Sequence, residues 1–253
     1  MSMEPLIIRP RWAGRFPELC CGMSTRQGGV SPEPLGMNLS FHVGDTTENV
    51  EENRRLFFGA MSIPPERVAF TRQVHRDDVH EARIPGGYEQ CDALVTNVPD
   101  LYLTISVADC VPILLFDPVT RSVGAVHSGW RGSRAAIVRR GIEMMMTRFH
   151  ARPESMYAYI GAAAGVCCYD VGEEVAAEFG SKYLHRRKDQ NPHLDLSMVN
   201  YDLLLEGGLP HANIELADSC TICGVGLFHS FRRDGQRSGR MIGVLGVRPV
   251  RQS

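Results

Sequence analysis

Lysine is almost missing from this chain. Lys182 and Lys188 are the only two among 27 basic residues, so arginine carries nearly all the positive charge. Arginine suits directional recognition of phosphates and carboxylates, but GC-rich codon usage produces the same bias, and the count alone assigns no partner. The formal net charge is -2. That leaves no basic excess of the kind that marks a nucleic-acid surface. No apolar run reaches the roughly 18 residues of a membrane span, so no membrane partner is expected. The start Met1-Ser2-Met3-Glu4-Pro5 lacks the basic segment and apolar core of a secretory signal. The eight cysteines make a poor disulfide framework. Cys20-Cys21 and Cys167-Cys168 are adjacent pairs, and a chain of this size needs no such staples. A reducing cytoplasm is the expected compartment. Internal repeats, low-complexity tracts and linkers are also missing, which predicts a single domain over residues 1–253. The motifs G-x-x-x-x-G-K-[ST], H-E-x-x-H and G-x-S-x-G are absent. Their absence removes a P-loop, a zincin helix and a lipase-like nucleophile elbow.

What is there reads as an ordinary globular chain, 43% apolar and 22% charged. Glu4 to Cys21 holds one or two strands. Ser24 to Pro32 is a polar, Gly-rich loop, and Leu35 to Val43 is extended. Thr46 to Ala60 has helical spacing, with Asp45 or Thr46 as N-cap. Val68–Val74, Cys91–Thr96, Leu101–Val107, Pro112–Phe116, Ser122–Val126, Tyr157–Ile160, Ile222–Phe231 and Met241–Val247 read as strands. Gly132–Phe149 is the clearest helix, with Ile137, Ile142, Met145 and Met146 as its buried stripe. Gly172–Phe179 and Met198–Glu206 are further helices. Lys182–Pro192 is a polar surface loop. Strands and helices mix without the regular alternation of a doubly wound sheet. The predicted class is therefore α/β (α+β), with mixed sheets flanked by helices.

Chemistry concentrates around one hairpin. Asp117-Pro118-Val119-Thr120 is a turn signal. A turn centred between Pro118 and Val119 pairs residues whose numbers sum to 237 and sets Cys110 opposite His127. Directly opposed residues share a face, with Cβ atoms about 4.5–5.5 Å apart. His75, at the end of the Val68–Val74 strand, completes a His/Cys/His set. Two imidazoles and a thiolate suit zinc with an open fourth position, and copper is compatible. The alternative is a buried cysteine with two satisfied histidines. Asp109 either braces the site from a turn or acts as an acid/base. Gly129-Trp130-Arg131-Gly132 joins a strand to a helix N-terminus, a place that attracts anions, or simply needs glycine for its backbone angles. Arg26 in the Gly-rich loop is an anion or ribose contact or a plain turn residue. Arg232 and Arg233 are a phosphate clamp or solvated charges. Cys220-x-x-Cys223 has the spacing of a redox or half-zinc motif, but no second C-x-x-C exists, and it reads as part of a core strand with a structural role.

Taken in order, these motifs resemble one family. They run Ser24-Thr25-Arg26-Gln27-Gly28-Gly29-Val30-Ser31, Asn38-Leu39, His42-Val43-Gly44-Asp45, Arg72-Gln73-Val74-His75, Asp92-Ala93-Leu94-Val95-Thr96, Ala108-Asp109-Cys110 and His127 to Gly132. Cys220-Thr221, Ser230 to Gly235 and Gly239-Arg240-Met241 follow. The chain is similar, across residues 20–247, to bacterial laccase-domain proteins of the purine nucleoside phosphorylase family, formerly labelled multicopper polyphenol oxidoreductases. The resemblance implies that His75, Cys110 and His127 are metal ligands and active-site residues for zinc, with copper as the other ion. Asp109 joins them as a catalytic candidate, and Arg26, Asn38 and Arg72 as substrate contacts. It implies phosphorolysis of adenosine, inosine, guanosine and methylthioadenosine, with adenosine deamination as a second activity. The implied fold is similar to the catalytic domain of a cytotoxic necrotizing factor. Rival readings are a cysteine hydrolase or amidase in peptidoglycan precursor editing, a copper-dependent polyphenol oxidase, and a zinc-stabilised binding module. The chain departs from the family at Gly161-Ala162, where a proline commonly follows the glycine. It departs again at His229, where an aromatic commonly precedes the serine.

Overall fold

The computed structural model describes residues 4–249. Met1, Ser2 and Met3, read above as part of a start without a secretory leader, lie outside the described residues, as do residues 250–253. Strands β1 (Ile7–Ile8), β2 (Leu19–Ser24), β3 (Val68–Thr71), β4 (Val79–Glu81), β5 (Gly86–Tyr88), β6 (Ala93–Thr96) and β7 (Tyr102–Val107) occupy the first half. β8 (Val111–Asp117), β9 (Ser122–Ser128), β10 (Tyr157–Ile160), β11 (Leu184–His185), β12 (His193–Leu194), β13 (Ile214–Leu216) and β14 (Met241–Val247) follow. The α-helices are α1 (Thr47–Ala60), α2 (Trp130–Arg134), α3 (Ile137–Phe149), α4 (Glu173–Ala176), α5 (Leu196–Glu206) and α6 (Phe231–Asp234). None is long and apolar enough to cross a membrane.

Two mixed six-stranded sheets form the body, ordered β1-β2-β14-β7-β3-β5 and β13-β10-β8-β9-β6-β4. Side-chain alternation along β8 and β9 shows how they stack. Leu114, Phe116, Val123 and Ala125 pack with Leu103, Ile105 and Leu245 of the other sheet. Val111, Ile113, Leu115 and Val126 pack on the opposite face with Ile137, Val138, Ile142 and Met145 of α3. Both faces of this hairpin are covered, so it carries a continuous apolar run instead of an alternating one. On the far side of the first sheet, Phe57 and Phe58 of α1 pack with Met37, Leu39, Tyr102 and Val244. The result is four layers, helix, sheet, sheet and helices. This is the mixed α/β class expected from the sequence.

The central hairpin differs in register from the expectation. Pro112 pairs with His127 and Asp117 with Ser122, so paired numbers sum to 239. The connecting loop holds four residues because the Asp117 carboxylate accepts from the Val119 and Thr120 N–H groups and the Thr120 hydroxyl. Arg121 then turns back through φ 57. A shift of two in the sum keeps every side chain on its predicted face. Cys110 and His127 thus share a face as diagonal neighbours, and Gly129 takes the place opposite Cys110.

Other boundaries moved for local reasons. The helix expected over Gly132–Phe149 is two helices, broken where Ala136 adopts φ 55. No glycine or proline marks the break. α2 is instead tied down by Ser133, whose hydroxyl bonds Ser128 and receives the Asn200 amide. Ile137, Val138, Gly141, Ile142, Met145 and Phe149 form the buried stripe of α3, while Met146 lies exposed. Ile222–Phe231 is not a strand. It is a run of turns leading to α6, capped by the Ser230 hydroxyl. Leu35–Val43 is irregular, and Gly172–Phe179 shrinks to α4. The polar loop Lys182–Pro192 rises from the small ribbon β11-β12. α1 begins as expected, with the Thr46 hydroxyl accepting from the Asn49 N–H.

A left-handed alanine costs about 1 kcal/mol that glycine does not incur. Ala136→Gly should therefore raise the melting temperature by about 2 °C, net of the glycine's entropy. A lower melting temperature in calorimetry would show that residue 136 is right-handed in solution.

Candidate metal centre

The centre is organised by a residue to which the sequence had assigned no role. Asp92 precedes β6 and is fully buried. Its Oδ2 accepts from the backbone N–H groups of Val74 and Arg76, each at 3.0 Å. Its Oδ1 accepts from the His75 N–H at 3.0 Å and from His127 Nδ1 at 2.8 Å. Three successive N–H groups converging on one carboxylate curl the chain after β3, and His75 takes φ 57 within that turn. The strand expected to run to Val74 therefore stops at Thr71. Burial alone would push the Asp92 carboxyl up. The hydrogen bonds from His127 and the backbone outweigh it and hold the group below its ordinary value. A carboxylate only accepts, so Nδ1 of His127 must donate. That leaves Nε2 to face the cluster, where it can bind a metal once its own proton is released.

The ligating atoms of His75, Cys110 and His127 lie within 4.8 Å of one another. The two imidazole rings meet edge to face, with centroids 4.8 Å apart. His127 is buried, Cys110 is half-buried and His75 is exposed, so the group opens to solvent on the His75 side. Burial opposes ionisation of Cys110, but the adjacent His127 and hydrogen bonds from both imidazoles pull the thiol down to about 6. Burial likewise opposes protonation of His127. The Cys110 sulfur and Asp92 reverse this and push it up to about 9. The two therefore favour a thiolate beside an imidazolium, and the sulfur is held in the form that binds metals.

Gly129 makes the diagonal contact possible. A Cβ there would lie 3.1 Å from Cys110 Sγ and 3.4 Å from His75 Nδ1. Its φ of -74 is accessible to any residue, so the glycine serves close approach and not the backbone angles considered in the sequence. α2, which starts at the next residue, spans five residues, too short for the extended anion-attracting helix expected there.

Asp109 is a brace. At φ 85, its Oδ1 accepts from the Thr221 hydroxyl and its Oδ2 from the Arg232 N–H, both at 2.6 Å. Its carbonyl accepts from the Ala164 N–H at 2.8 Å. Two of the expected substrate contacts spend their polar groups on the protein itself. The Arg26 guanidinium bonds the carbonyls of Val225 and Pro34 and the Glu33 carboxylate. Asn38 is buried, joined to Ser40, Asp45 and the Arg240 N–H. Arg26 thus ties the Gly-rich loop to its neighbours, and Asn53 of α1 holds that loop at Val30 and Ser31 and the segment after it at Gly36 and Asn38. Arg72 is exposed and pairs with Glu89 at 3.1 Å. Arg233 is spent on the carbonyls of Thr221, Ile222 and Phe228 and on Asp234. Arg232 bonds Asp170 and lies over the Tyr169 ring.

The sequence reading missed Arg240. Burial depresses its pKa, while the charges of Asp109 and Cys110 oppose the shift. Its Nη1 bonds the carbonyls of Ser238 and Gly239, and the group lies over the exposed Phe231 ring. Asp92 and Arg240 both stood in motifs of the family resemblance, but nothing in their spacing announced a role.

Residues 20–248 match the family model described as multi-copper polyphenol oxidoreductase laccase. The chain belongs to that family. It is 38% identical to a Deinococcus radiodurans protein named purine nucleoside phosphorylase, over 88% of this chain and 87% of that one. It is 33% identical to purine nucleoside phosphorylase YfiH of Escherichia coli, covering 94% and 97%. The crystal structure of the hypothetical protein YfiH of Bacillus licheniformis superimposes with a TM-score of 0.89 at 30% identity, covering 97% of each chain. That of YlmD from Geobacillus stearothermophilus gives 0.87 at 32% identity, covering 92% and 93%.

Asp92→Asn must turn an amide donor toward either the 74–76 N–H groups or His127. Stability should fall by about 1–3 kcal/mol and metal affinity by about 10–100-fold. Urea unfolding and competition with a chromophoric chelator measure the two. An unchanged affinity would remove Asp92 from the centre.

His229 is buried with neither ring nitrogen partnered among the described residues. Burial, then the nearby Arg26 charge, depress it to about 3 from 6.5. Between those values the unfolded chain binds a proton that the folded chain refuses. Stability is therefore present above 6.5 and falls by about 1.4 kcal/mol per pH unit below it. His229→Phe should flatten this acid limb in urea titrations from pH 7 to 5. Parallel curves for the two proteins would refute the assignment.

Proposed function

We propose that this chain is a zinc-dependent purine nucleoside phosphorylase centred on His75, Cys110 and His127. The observation that carries this reading is the three-ligand cluster, oriented by a buried carboxylate, in a chain that aligns along most of its length with relatives named purine nucleoside phosphorylase. Two imidazoles and a thiolate fit zinc, and the Asp92–His127 bond is the usual outer support of such a ligand. Copper accepts the same donors. A bound zinc would supply Lewis acidity at the face opened by His75.

In phosphorolysis a phosphate oxygen bonds to C1′ of the ribose as the C1′–N9 bond to the purine breaks. The electron pair leaves with the base. Arg240, which donates to two carbonyls and whose charge acts on Cys110, is the anion-binding group we assign to phosphate. Arg72, three residues before His75, is a second. The exposed Phe231 ring offers the purine a stacking surface. Asp109 acts as a positioning residue, holding the backbone that presents Cys110. We extend the reading to adenosine, inosine, guanosine and methylthioadenosine as substrates, and to adenosine deamination at the same centre. We place the protein in the cytoplasm, where thiols persist.

A second reading has its own support. Cys110, His127 and Asp92 also have the connectivity of a cysteine nucleophile, its base and the base's orienting carboxylate. That arrangement suits an amidase acting on a peptidoglycan precursor.

The test is turnover of adenosine and inosine with and without phosphate, on protein of known metal content, together with ammonia release. Phosphate-dependent release of adenine or hypoxanthine is expected. It should drop by about 100-fold or more in Cys110→Ala. Arg240→Ala should raise the KM for phosphate more than that for the nucleoside. No purine release from metal-loaded protein would overturn the proposal. Metal-free hydrolysis blocked by alkylating Cys110 would establish the second reading.

A further inference from the structure

The C-x-x-C pair left over from the sequence finds its partners in the fold. Cys220 and Cys223 meet Cys167 and Cys168, and the four sulfurs lie within 4.8 Å of one another. Cys223 Sγ is 3.0 Å from Cys168 Sγ and 3.4 Å from Cys167 Sγ. Cys167 and Cys223 are exposed, Cys168 and Cys220 half-buried. The group shares no residue with the His75, Cys110 and His127 cluster.

The backbone around these sulfurs is built for a metal-bound thiolate. Cys220 to Gly224 is a closed turn in which the Gly224 N–H donates to the Cys220 carbonyl at 2.9 Å. The Gly165 N–H donates to Cys220 Sγ at 3.2 Å. At Gly165 a Cβ would stand 3.0 Å from Cys220 Cβ, 3.3 Å from Cys220 Sγ and 3.4 Å from Cys167 Sγ. Glycine is thus what lets one loop close on the other. A bridge between Ala163 and Cys220 fixes their register. Burial opposes ionisation of Cys220, but backbone N–H groups directed at its sulfur prevail and lower its pKa. Burial, then Cys223, raise Cys167, and Cys223 foremost raises Cys168.

We infer that Cys167, Cys168, Cys220 and Cys223 form a tetrathiolate zinc site that staples the loop after β10 to the loop before α6. Sulfurs bound tetrahedrally at the Zn–S distance of about 2.3 Å stand about 3.8 Å apart. The two shortest contacts, 3.0 and 3.4 Å, lie somewhat inside that value, all four sulfurs lie within 4.8 Å, and every separation exceeds a disulfide's length of about 2.05 Å. Four soft donors in a closed shell leave no open position, so the site is structural. Binding releases the protons still held by the thiols. The stapled loops carry the Ala164 N–H and the Thr221 hydroxyl that grip Asp109. The site therefore holds in place the brace next to Cys110.

The test uses the full chain carrying Cys110→Ala, which removes a ligand of the other centre. Purified under reducing conditions without chelator, it should retain one zinc per chain by elemental mass spectrometry. Exchange for cobalt should give an intense sulfur-to-cobalt charge-transfer band and tetrahedral visible bands. Adding Cys220→Ser and Cys223→Ser should abolish both. Peptide mapping of the same Cys110→Ala protein, which needs no change in the cluster, should show all four thiols shielded from alkylation until zinc is removed. Four freely alkylated thiols in zinc-supplemented protein would overturn the inference. So would a Cys168–Cys223 disulfide, seen as a loss of two hydrogens, or iron in place of zinc.

Discussion

The four hydrogen bonds accepted by the buried Asp92 carboxylate are the constraint on which the centre depends. They join two separate parts of the chain, the turn after β3 and the end of β9. A buried carboxylate without partners would be costly. Four donors make it favourable, and they also set the left-handed turn at His75 and the tautomer of His127. The histidines meet because both answer to the same anion.

Around that anion the layers do the coarse positioning. Both faces of the β8-β9 hairpin are packed, against the first sheet and against α3, so its register cannot drift by one residue without turning apolar groups to the wrong side. Its open end delivers His127 and Cys110 to one face. The fine positioning falls to loops. Thr221, Arg232 and Ala164 hold Asp109, and the cysteine cluster ties together the segments that carry two of those groups.

Arginine serves this chain more as a brace than as a recognition group. Arg26 and Arg233 spend their guanidinium donors on carbonyls and nearby carboxylates of loops that lack regular hydrogen-bond ladders. The planar fork satisfies several carbonyls at once, which suits irregular backbone packed close to a centre. Arg240 likewise bonds two carbonyls, those of Ser238 and Gly239, and its charge also acts on Asp109 and Cys110.

The sequence alone determined the mixed α/β class, most strands and helices, and the His75, Cys110 and His127 set. Those features follow from periodicity, turn residues and ordered motifs, which are local. It also determined that Cys110 and His127 share a face, since face depends only on parity. The exact register did not follow, because the Asp117 side chain decides the loop length. The break at Ala136 was invisible because no residue there disfavours a helix, and contacts of Ser133 impose it. Ile222–Phe231 looked like a strand because apolar content does not separate a strand from packed turns. The contacts that Arg26 and Asn38 make within the protein were not legible, because a polar loop residue looks the same whether its partner is a ligand or a carbonyl. Only the tertiary structure decided the role of Asp92 and the meeting of Cys167 and Cys168 with Cys220 and Cys223. Both join residues far apart in the chain, and local sequence carries no signal of which distant groups will be buried together.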